Sequence, residues 1–206
     1  MPLQNRVTPF GDIIAISQRG LMMGNRGIIH DPATKTLLKK RWSSRAWIIC
    51  VCQFKDVRRD VMARRSWTEL FFLDEATALS AGHRPCFYCQ RQRAKEFQAA
   101  WAEGNGTGLP PAPAMDAILH GERLDRQCNK KHHPLETSIQ NLPDGTMLAC
   151  GANAYLVKKG ETFLWSWKGY SPAIIDTSGA TVLTPPSTVR ALQAGFEPLH
   201  SDAFKL

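Results

Sequence analysis

The chain has 206 residues, 43% of them hydrophobic, and a formal net charge of +8 at pH 7, so it can bury a core in one or two domains. No run of eighteen apolar residues occurs, which excludes a membrane-spanning helix and gives no reason to expect a membrane partner. Its first residues lack the apolar segment of a secretory signal, and with six cysteines this predicts a reducing cytoplasmic location, where cysteine pairs bind metals more often than they form disulfides.

The first thirty residues predict a turn followed by short strands. Gly24-Asn-Arg-Gly27 has the composition of a tight turn, and Arg26 within it offers a contact for a phosphate, with a plain turn as the alternative. His30 lies in the loop before Asp31-Pro32, a position suited to a metal ligand. A histidine with no ligand role, in the core or on the surface, is the alternative there.

The excess positive charge lies entirely in the first half of the chain. Residues 1–100 contain 17 Lys and Arg against 8 Asp and Glu, whereas residues 101–206 contain 9 against 10. Basic clusters interleaved with Trp42, Trp47 and Trp67 are typical of nucleic-acid binding through phosphate contacts and base stacking. A solvated basic face with core tryptophans is the alternative. The predicted contacts are Arg26, Lys40, Arg41, Arg45, Arg58, Arg59, Arg84 and Arg91.

Residues 46–54 predict a strand that carries two cysteines, Cys50 and Cys52. Side chains two positions apart face the same side of a strand, but it is awkward for both to reach one ion. Cys50 is the simpler metal ligand, and a pair of buried thiols is the alternative.

The segment from Glu69 to Cys89 predicts a strand, a short helix and a turn that presents two cysteines. Leu70-Phe-Phe-Leu73 is an apolar strand, Asp74 a helix N-cap, and Gly82 the residue after the helix end. Cys86 and Cys89 then have the spacing that lets two thiolates bind one ion, for which zinc is the usual choice. The alternatives are a redox pair or inert thiols, but a redox pair usually begins a helix.

Residues 70–89 resemble the second half of the zinc-binding module of Ada-type DNA alkylation-repair proteins. The match is Ala78, Leu79, Ala81, Gly82, Arg84, Pro85, Cys86 and Cys89, with His83 at an aromatic position. The resemblance implies structural zinc and DNA contact. The upstream Cys-x3-Cys pair of that family, which carries the methyl-accepting cysteine, has no counterpart here, so methyl transfer is not carried over.

The rest of the N-terminal half predicts a helix, at 91–101, and then a break. A Gly/Pro-rich loop at 104–113 separates a basic zinc-binding region, 1–103, from an α+β region, 114–206, which packs on the first. One continuous domain over both regions is the alternative.

A helix at 114–124 places Asp116 and His120 on one face, with Glu122 and Arg123 beyond them. These four are the residues expected to act in acid–base or metal chemistry if the protein is an enzyme. Cys128, His132 and His133 follow at a spacing that permits metal binding. An amphipathic helix and a solvated loop are the alternative.

The C-terminal third predicts strands at 147–150, 154–157 and 162–167. Residues 187–198 repeat the pattern of 74–85, with Ser187 in place of the N-cap Asp74, which indicates either a degenerate duplication of one β–α–turn unit or two helices that end in the same Gly-x-x-Pro manner. The predicted fold is therefore α+β, with short, mostly antiparallel strands, a few helices and a zinc-stabilised N-terminal half. Oligomeric state stays open.

Three functions are compatible with these patterns. The first is a zinc-containing nucleic-acid-binding protein, directed at DNA and related to repair. The second is a metal-assisted hydrolase, or another enzyme, acting on nucleic acid or nucleotides through Asp116, His120 and Glu122. The third is a zinc-stabilised module that binds another protein.

Overall fold

The computed structural model describes residues 1–55, 60–64 and 66–201. It is an α+β protein with mostly antiparallel sheets, as the sequence predicts. None of the helices in the described ranges is long and apolar enough to cross a membrane.

The first sheet is formed entirely by residues before position 86. Its six strands follow the order β2-β1-β7-β3-β6-β8, and all pairs are antiparallel except β1 with β7 and β6 with β8. These strands are β1 Gln4–Val7, β2 Ile13–Ala15, β3 Met22–Asn25, β6 Ile48–Val51, β7 Leu70–Phe72 and β8 Arg84–Pro85. A two-stranded hairpin, β4 His30–Asp31 with β5 Thr36–Leu37, lies between β3 and β6 along the chain.

The second sheet is antiparallel throughout and follows the order β13-β12-β11-β10-β14-β9. Its strands are β9 His133–Pro134, β10 Met147–Cys150, β11 Asn153–Lys158, β12 Glu161–Ser166, β13 Gly169–Pro172 and β14 Thr181–Val182. Short 3-10 turns at Ile139–Asn141 and Thr177–Gly179 complete this half.

Four helices connect and cover the sheets: α1 Glu75–Ser80, α2 Arg91–Gly104, α3 Ala112–Arg123 and α4 Pro186–Gln193. The main apolar core joins sheet residues such as Leu70 to Phe97 of α2, Leu119 of α3 and Leu192 of α4. A second core cluster joins Leu73 to strands of the second sheet. Since both clusters contain residues from the two halves, the halves share a core across the loop at 105–111, which is shorter than the predicted 104–113 because α2 extends to Gly104 and α3 begins at Ala112.

The two segments proposed as a duplication differ in their helix starts. Both contain a short helix followed by a glycine with positive φ, +84° at Gly82 and +96° at Gly195. Asp74 caps α1 as predicted, but α4 begins one residue before Ser187, whose hydroxyl and amide both bond to the Glu122 carboxylate. The prediction of Ser187 as N-cap is therefore wrong, because Pro186 already occupies the first helical position, where its fixed φ suits the helix.

Candidate metal centre and a basic cavity

Local contacts fix the elements that lead into the turn that carries Cys86 and Cys89. Asp74 accepts hydrogen bonds from the Thr77 amide (2.9 Å) and hydroxyl (2.8 Å), which fixes the start of α1. After α1, Gly82 adopts φ +84°, and the chain enters β8 beside β6. Because an ideal Cβ at Gly82 would lie 2.6 Å from Cδ of Arg123, a glycine is required there on steric as well as backbone grounds.

Parallel pairing of β6 with β8 brings the third cysteine to this turn. Ile49 lies opposite Pro85, and the Ile49 carbonyl accepts hydrogen bonds from the Cys86 amide (2.9 Å) and the Gln90 side chain (3.0 Å). The residues that follow this pair, Cys50 and Cys86, are therefore neighbours.

The sulfur atoms of Cys50, Cys86 and Cys89 all lie within 4.8 Å of one another. Thiolates bound at ~2.3 Å to one tetrahedral zinc ion lie about 3.8 Å apart, so small side-chain adjustments suffice for these three to share one ion. In the described residues this is the one group of three or more Cys, His, Asp or Glu side chains with such spacing. The prediction that Cys50 joins Cys86 and Cys89 in a group able to hold a metal is confirmed.

The hydrogen bonds of the cluster favour a thiolate at Cys86. The thiol groups of Cys50 and Cys89 lower the pKa of Cys86, whereas the hydrogen bond with Cys86 raises the pKa of Cys50. The Tyr88 amide also donates to the Cys86 sulfur at 3.4 Å. A thiolate at one sulfur disfavours deprotonation of the neighbouring thiols. A bound cation removes this repulsion, so that several of the cysteines can be thiolates at once.

Cys52 and His30 do not join the three sulfurs. Cys52 follows the end of β6, is exposed, and directs its thiol to the Leu21 carbonyl at 3.4 Å. The structure corrects the prediction of His30 as a ligand. Its ring is buried, with Nδ1 2.7 Å from the Thr68 hydroxyl and Nε2 2.9 Å from the Arg64 carbonyl, so both nitrogens have partners.

An open cavity of about 320 Å³ adjoins the cluster and is lined by all three cysteines. Phe54 and Tyr88 form an edge-to-face pair on its wall, with ring centroids 5.2 Å apart. Tyr88 is 73% exposed, and the Lys55 ammonium lies 5.7 Å from its ring. An exposed tyrosine packed on a half-buried phenylalanine beside a cation is the kind of surface on which nucleic-acid bases stack.

A larger cavity of about 660 Å³ lies elsewhere in the molecule. Six of its lining residues are basic and one, Asp12, is acidic. The basic residues are Arg26, Lys39, Lys40, Arg41, Arg123 and Lys130. Trp47 lies beneath two of them, with the guanidinium carbons of Arg26 and Arg123 each 3.9 Å from its ring. The cavity is therefore strongly electropositive.

The four residues predicted to be catalytic do not converge on one point. Asp116 forms a buried bidentate ion pair with Arg84, at 2.8 and 2.7 Å, and Glu122 bonds to the first turn of α4 through Ser187. His120 stacks on Trp42, with centroids 5.5 Å apart. The structure therefore corrects the prediction of an acid–base set, because both carboxylates are occupied by structural partners.

Arg123, the fourth of these residues, lines the larger cavity instead. Its side chain is fully buried and donates to the Gly82 carbonyl (2.9 Å), the Arg45 carbonyl (2.7 Å) and Nδ1 of His120 (3.0 Å). The neighbouring loop holds no metal group: Cys128 is exposed, and the rings of His132 and His133 bond to Thr181 and to the Glu122 carbonyl.

The residues predicted to contact nucleic acid lie in different environments. Lys40, Arg41, Arg45 and Arg91 are exposed, as such contacts require. Arg84 is 5% exposed and paired with Asp116, so its prediction as a nucleic-acid contact is corrected. Arg26 is also buried, but it faces the larger cavity. Arg58 and Arg59 lie outside the described residues.

Sequence patterns miss three features of these sites. Phe54 and Tyr88 come from separate segments and carry no motif, Trp47 has the periodicity of an ordinary core residue, and Lys130 lies in a loop with the composition of a solvated one. The CxxC spacing of Cys86 and Cys89 signals the metal cluster in advance, and the basic residues Arg26, Lys40 and Arg41 signal part of the larger cavity.

No family model, curated protein or solved structure matches this chain.

Proposed function

We propose that the protein is a zinc-containing nucleic-acid-binding protein of the cytoplasm, directed at DNA and related to repair. The observation that carries the proposal is the three-sulfur cluster of Cys50, Cys86 and Cys89, which lines a cavity together with the exposed Tyr88 and its ring partner Phe54. The resemblance of residues 70–89 to an Ada-type zinc module and the basic first half of the chain support DNA as the partner.

Zinc is the proposed ion because thiolates are soft ligands that select Zn, Cu(I) or iron–sulfur clusters, and zinc is the usual occupant of structural cysteine sites. It would join β6 to the turn after β8 and so stabilise the N-terminal half. A structural zinc needs a fourth ligand, which comes either from Cys52 after a side-chain rotation or from outside the three-cysteine group.

The metal is tested by elemental analysis of protein purified without chelators. We expect one zinc per chain in the native protein and none in Cys86→Ser/Cys89→Ser, which also loses thermal stability. Cys150→Ser is the matched control, because Cys150 lies in β10 with its thiol near the Asp176 carbonyl. Cys52→Ser identifies the fourth ligand: loss of zinc assigns Cys52, and retention assigns another group. Native protein without bound metal contradicts the proposal.

DNA binding is tested by fluorescence anisotropy with single-stranded and duplex DNA over a range of salt concentrations. Stacking of a base on an aromatic side chain contributes ~1–3 kcal/mol, so we expect Tyr88→Ala to weaken binding by about 5- to 150-fold. Ile174→Ala is the control: it truncates a fully exposed apolar residue outside the cavity that Tyr88 lines and should leave the affinity for DNA unchanged.

The salt dependence of binding and competition by bulk DNA distinguish this function from that of a protein-interaction module. Binding to DNA must weaken steeply with salt, because phosphate contacts release counterions. Binding that bulk DNA does not compete away contradicts the nucleic-acid assignment even if zinc is present.

A further inference from the structure

The larger cavity is bordered by three separate segments of the chain. Residues 10–13 form one wall, the irregular segment 39–42 a second, and the loop after α3, residues 124–132, a third. Its volume of about 660 Å³ lies within the ~300–1,000 Å³ typical of small-molecule sites.

Arg26 brings an unpartnered donor to this cavity. The residue is 2% exposed, its Nε donates to Nε2 of His83 at 3.3 Å, and its Nη2 has no hydrogen-bond partner. Nη2 lies 3.6 Å from the position a Cβ would take at Gly11, a residue of the cavity wall, so no side chain on that residue fills the space beside it. A buried N–H without a partner costs about 1–3 kcal/mol, and more for a charged group.

Two further cations line this cavity without counter-ions, Arg123 buried and Lys130 half-buried. Arg123 is 0% exposed, and its Nε has no partner. The Lys130 ammonium donates to the carbonyls of Ser80 (2.6 Å) and Leu183 (2.5 Å). In the described part of the chain, none of Arg26, Arg123 and Lys130 has a carboxylate within 4.0 Å.

Burial lowers the pKa of all three groups, and the carboxylates of Asp12, Asp116 and Glu122 offset this only in part. Burial, followed by the charges of Arg26 and Arg123, lowers the pKa of Lys130 to about 7. Buried charges are normally paired, because their desolvation is otherwise uncompensated. A cavity lined by cations without counter-ions is therefore suited to bind an anionic ligand.

The mouth of the cavity adds an aromatic surface. Trp42 is partly exposed and is fixed by stacking on His120 at an interplanar angle of 22°. It also lines a second cavity of about 470 Å³, which shares Leu124 and Cys128 with the first. A ligand with an anionic end and a flat ring therefore finds both partners within one continuous space.

We propose that this cavity binds a nucleoside phosphate, with the phosphate against Arg26 and Arg123 and the base on Trp42. Guanidinium groups suit phosphate oxygens, since their N–H donors match them in pairs, and Trp47 holds both groups in place. The ligand is either a free nucleotide or the phosphorylated end of a nucleic-acid strand. The proposal goes beyond the metal site and does not depend on zinc, because Cys50, Cys86 and Cys89 do not line this cavity.

The test is calorimetric titration at low salt with thymidine, thymidine 5′-monophosphate and inorganic phosphate, beside short oligothymidylates with a 5′-phosphate or a 5′-hydroxyl. We expect thymidine 5′-monophosphate to bind at least tenfold more tightly than thymidine. A preference of at least tenfold for the phosphorylated oligonucleotide assigns the strand end. Binding of the mononucleotide with no such preference assigns the free nucleotide.

Arg26→Met is the principal variant. It removes the charge but keeps an unbranched side chain, so we expect at least a tenfold loss of nucleotide affinity and no fall in the melting temperature of the ligand-free protein, since an unpaired buried charge is removed. Arg19→Gln is the control, because Arg19 is exposed and outside the cavity.

A second variant keeps the test valid if Arg26→Met fails to fold. Lys40→Gln/Arg41→Gln changes exposed residues of the cavity wall and should weaken nucleotide binding severalfold. Equal affinity for thymidine and its monophosphate, no binding at ~10 mM nucleotide, or full affinity in Arg26→Met overturns the proposal.

Discussion

Replacement of Asp116 by Ala removes the counter-ion of a buried arginine. Arg84 and Asp116 join β8 to α3 through two hydrogen bonds of 2.8 and 2.7 Å, and their side chains are 6% and 7% exposed. In Asp116→Ala the guanidinium keeps only its bond to the Pro85 carbonyl (3.1 Å) and its contact with the Phe87 ring. We therefore expect a large loss of stability rather than a selective loss of activity.

The magnitude follows from the burial of the pair. Removal of one partner of a buried ion pair costs ~3–5 kcal/mol, because the other charge is left in a low-dielectric environment. The entropy of unfolding is about 2.1 cal/mol/K per residue, or ~0.43 kcal/mol/K for this chain, so the melting temperature should fall by ~7–12 °C. The double variant Arg84→Met/Asp116→Leu should recover most of the loss, since no unpaired charge stays buried.

Urea denaturation followed by circular dichroism measures both variants, and a double-mutant cycle isolates the pair. Ile118→Ala is the matched control on α3, because Ile118 is exposed and its truncation removes no partner of a buried charge. A loss below ~1 kcal/mol in Asp116→Ala would refute this reasoning and return Asp116 to consideration as a functional carboxylate.

Three further variants test the packing around the candidate sites. Gly82→Ala should destabilise the fold by ~1–3 kcal/mol in urea melts, because φ is +84° and the added methyl would meet Arg123; equal stability would show that the turn adjusts freely. Tyr170→Phe removes a 2.7 Å hydrogen bond to the Asp74 carboxylate and should cost ~1.5–3 kcal/mol in the same assay, with an unchanged midpoint as the contrary result. Burial holds the pKa of His83 well below 6.5, so the unfolded chain takes up a proton below about pH 6.5 while the folded protein does not, and stability should fall with decreasing pH by up to ~1.4 kcal/mol per pH unit. Melts at pH ~7 and ~5.5 check this, and a slope in His83→Gln as steep as that of the native protein contradicts it.

Local sequence determined the elements that present the cysteines. The N-cap Asp74, the glycine at position 82 and the proline before Cys86 specify a strand, a helix and a turn through short-range steric and hydrogen-bonding preferences. The CxxC spacing determined that two thiols lie together. In the same way, short apolar and aromatic runs bounded by turn residues predicted three strands of the second sheet.

Tertiary structure alone decided which charges are free and which are paired. Arg84 and Asp116 are 32 positions apart, and their pairing depends on how α3 packs against β8, which no local pattern encodes. The same holds for Arg26 and the pair Arg123 and Lys130, cations about a hundred positions apart along the chain that packing gathers around one cavity. Periodicity records which face of an element is apolar, but the partner of a buried charge is fixed by contacts between elements, and these contacts determine where a ligand can bind.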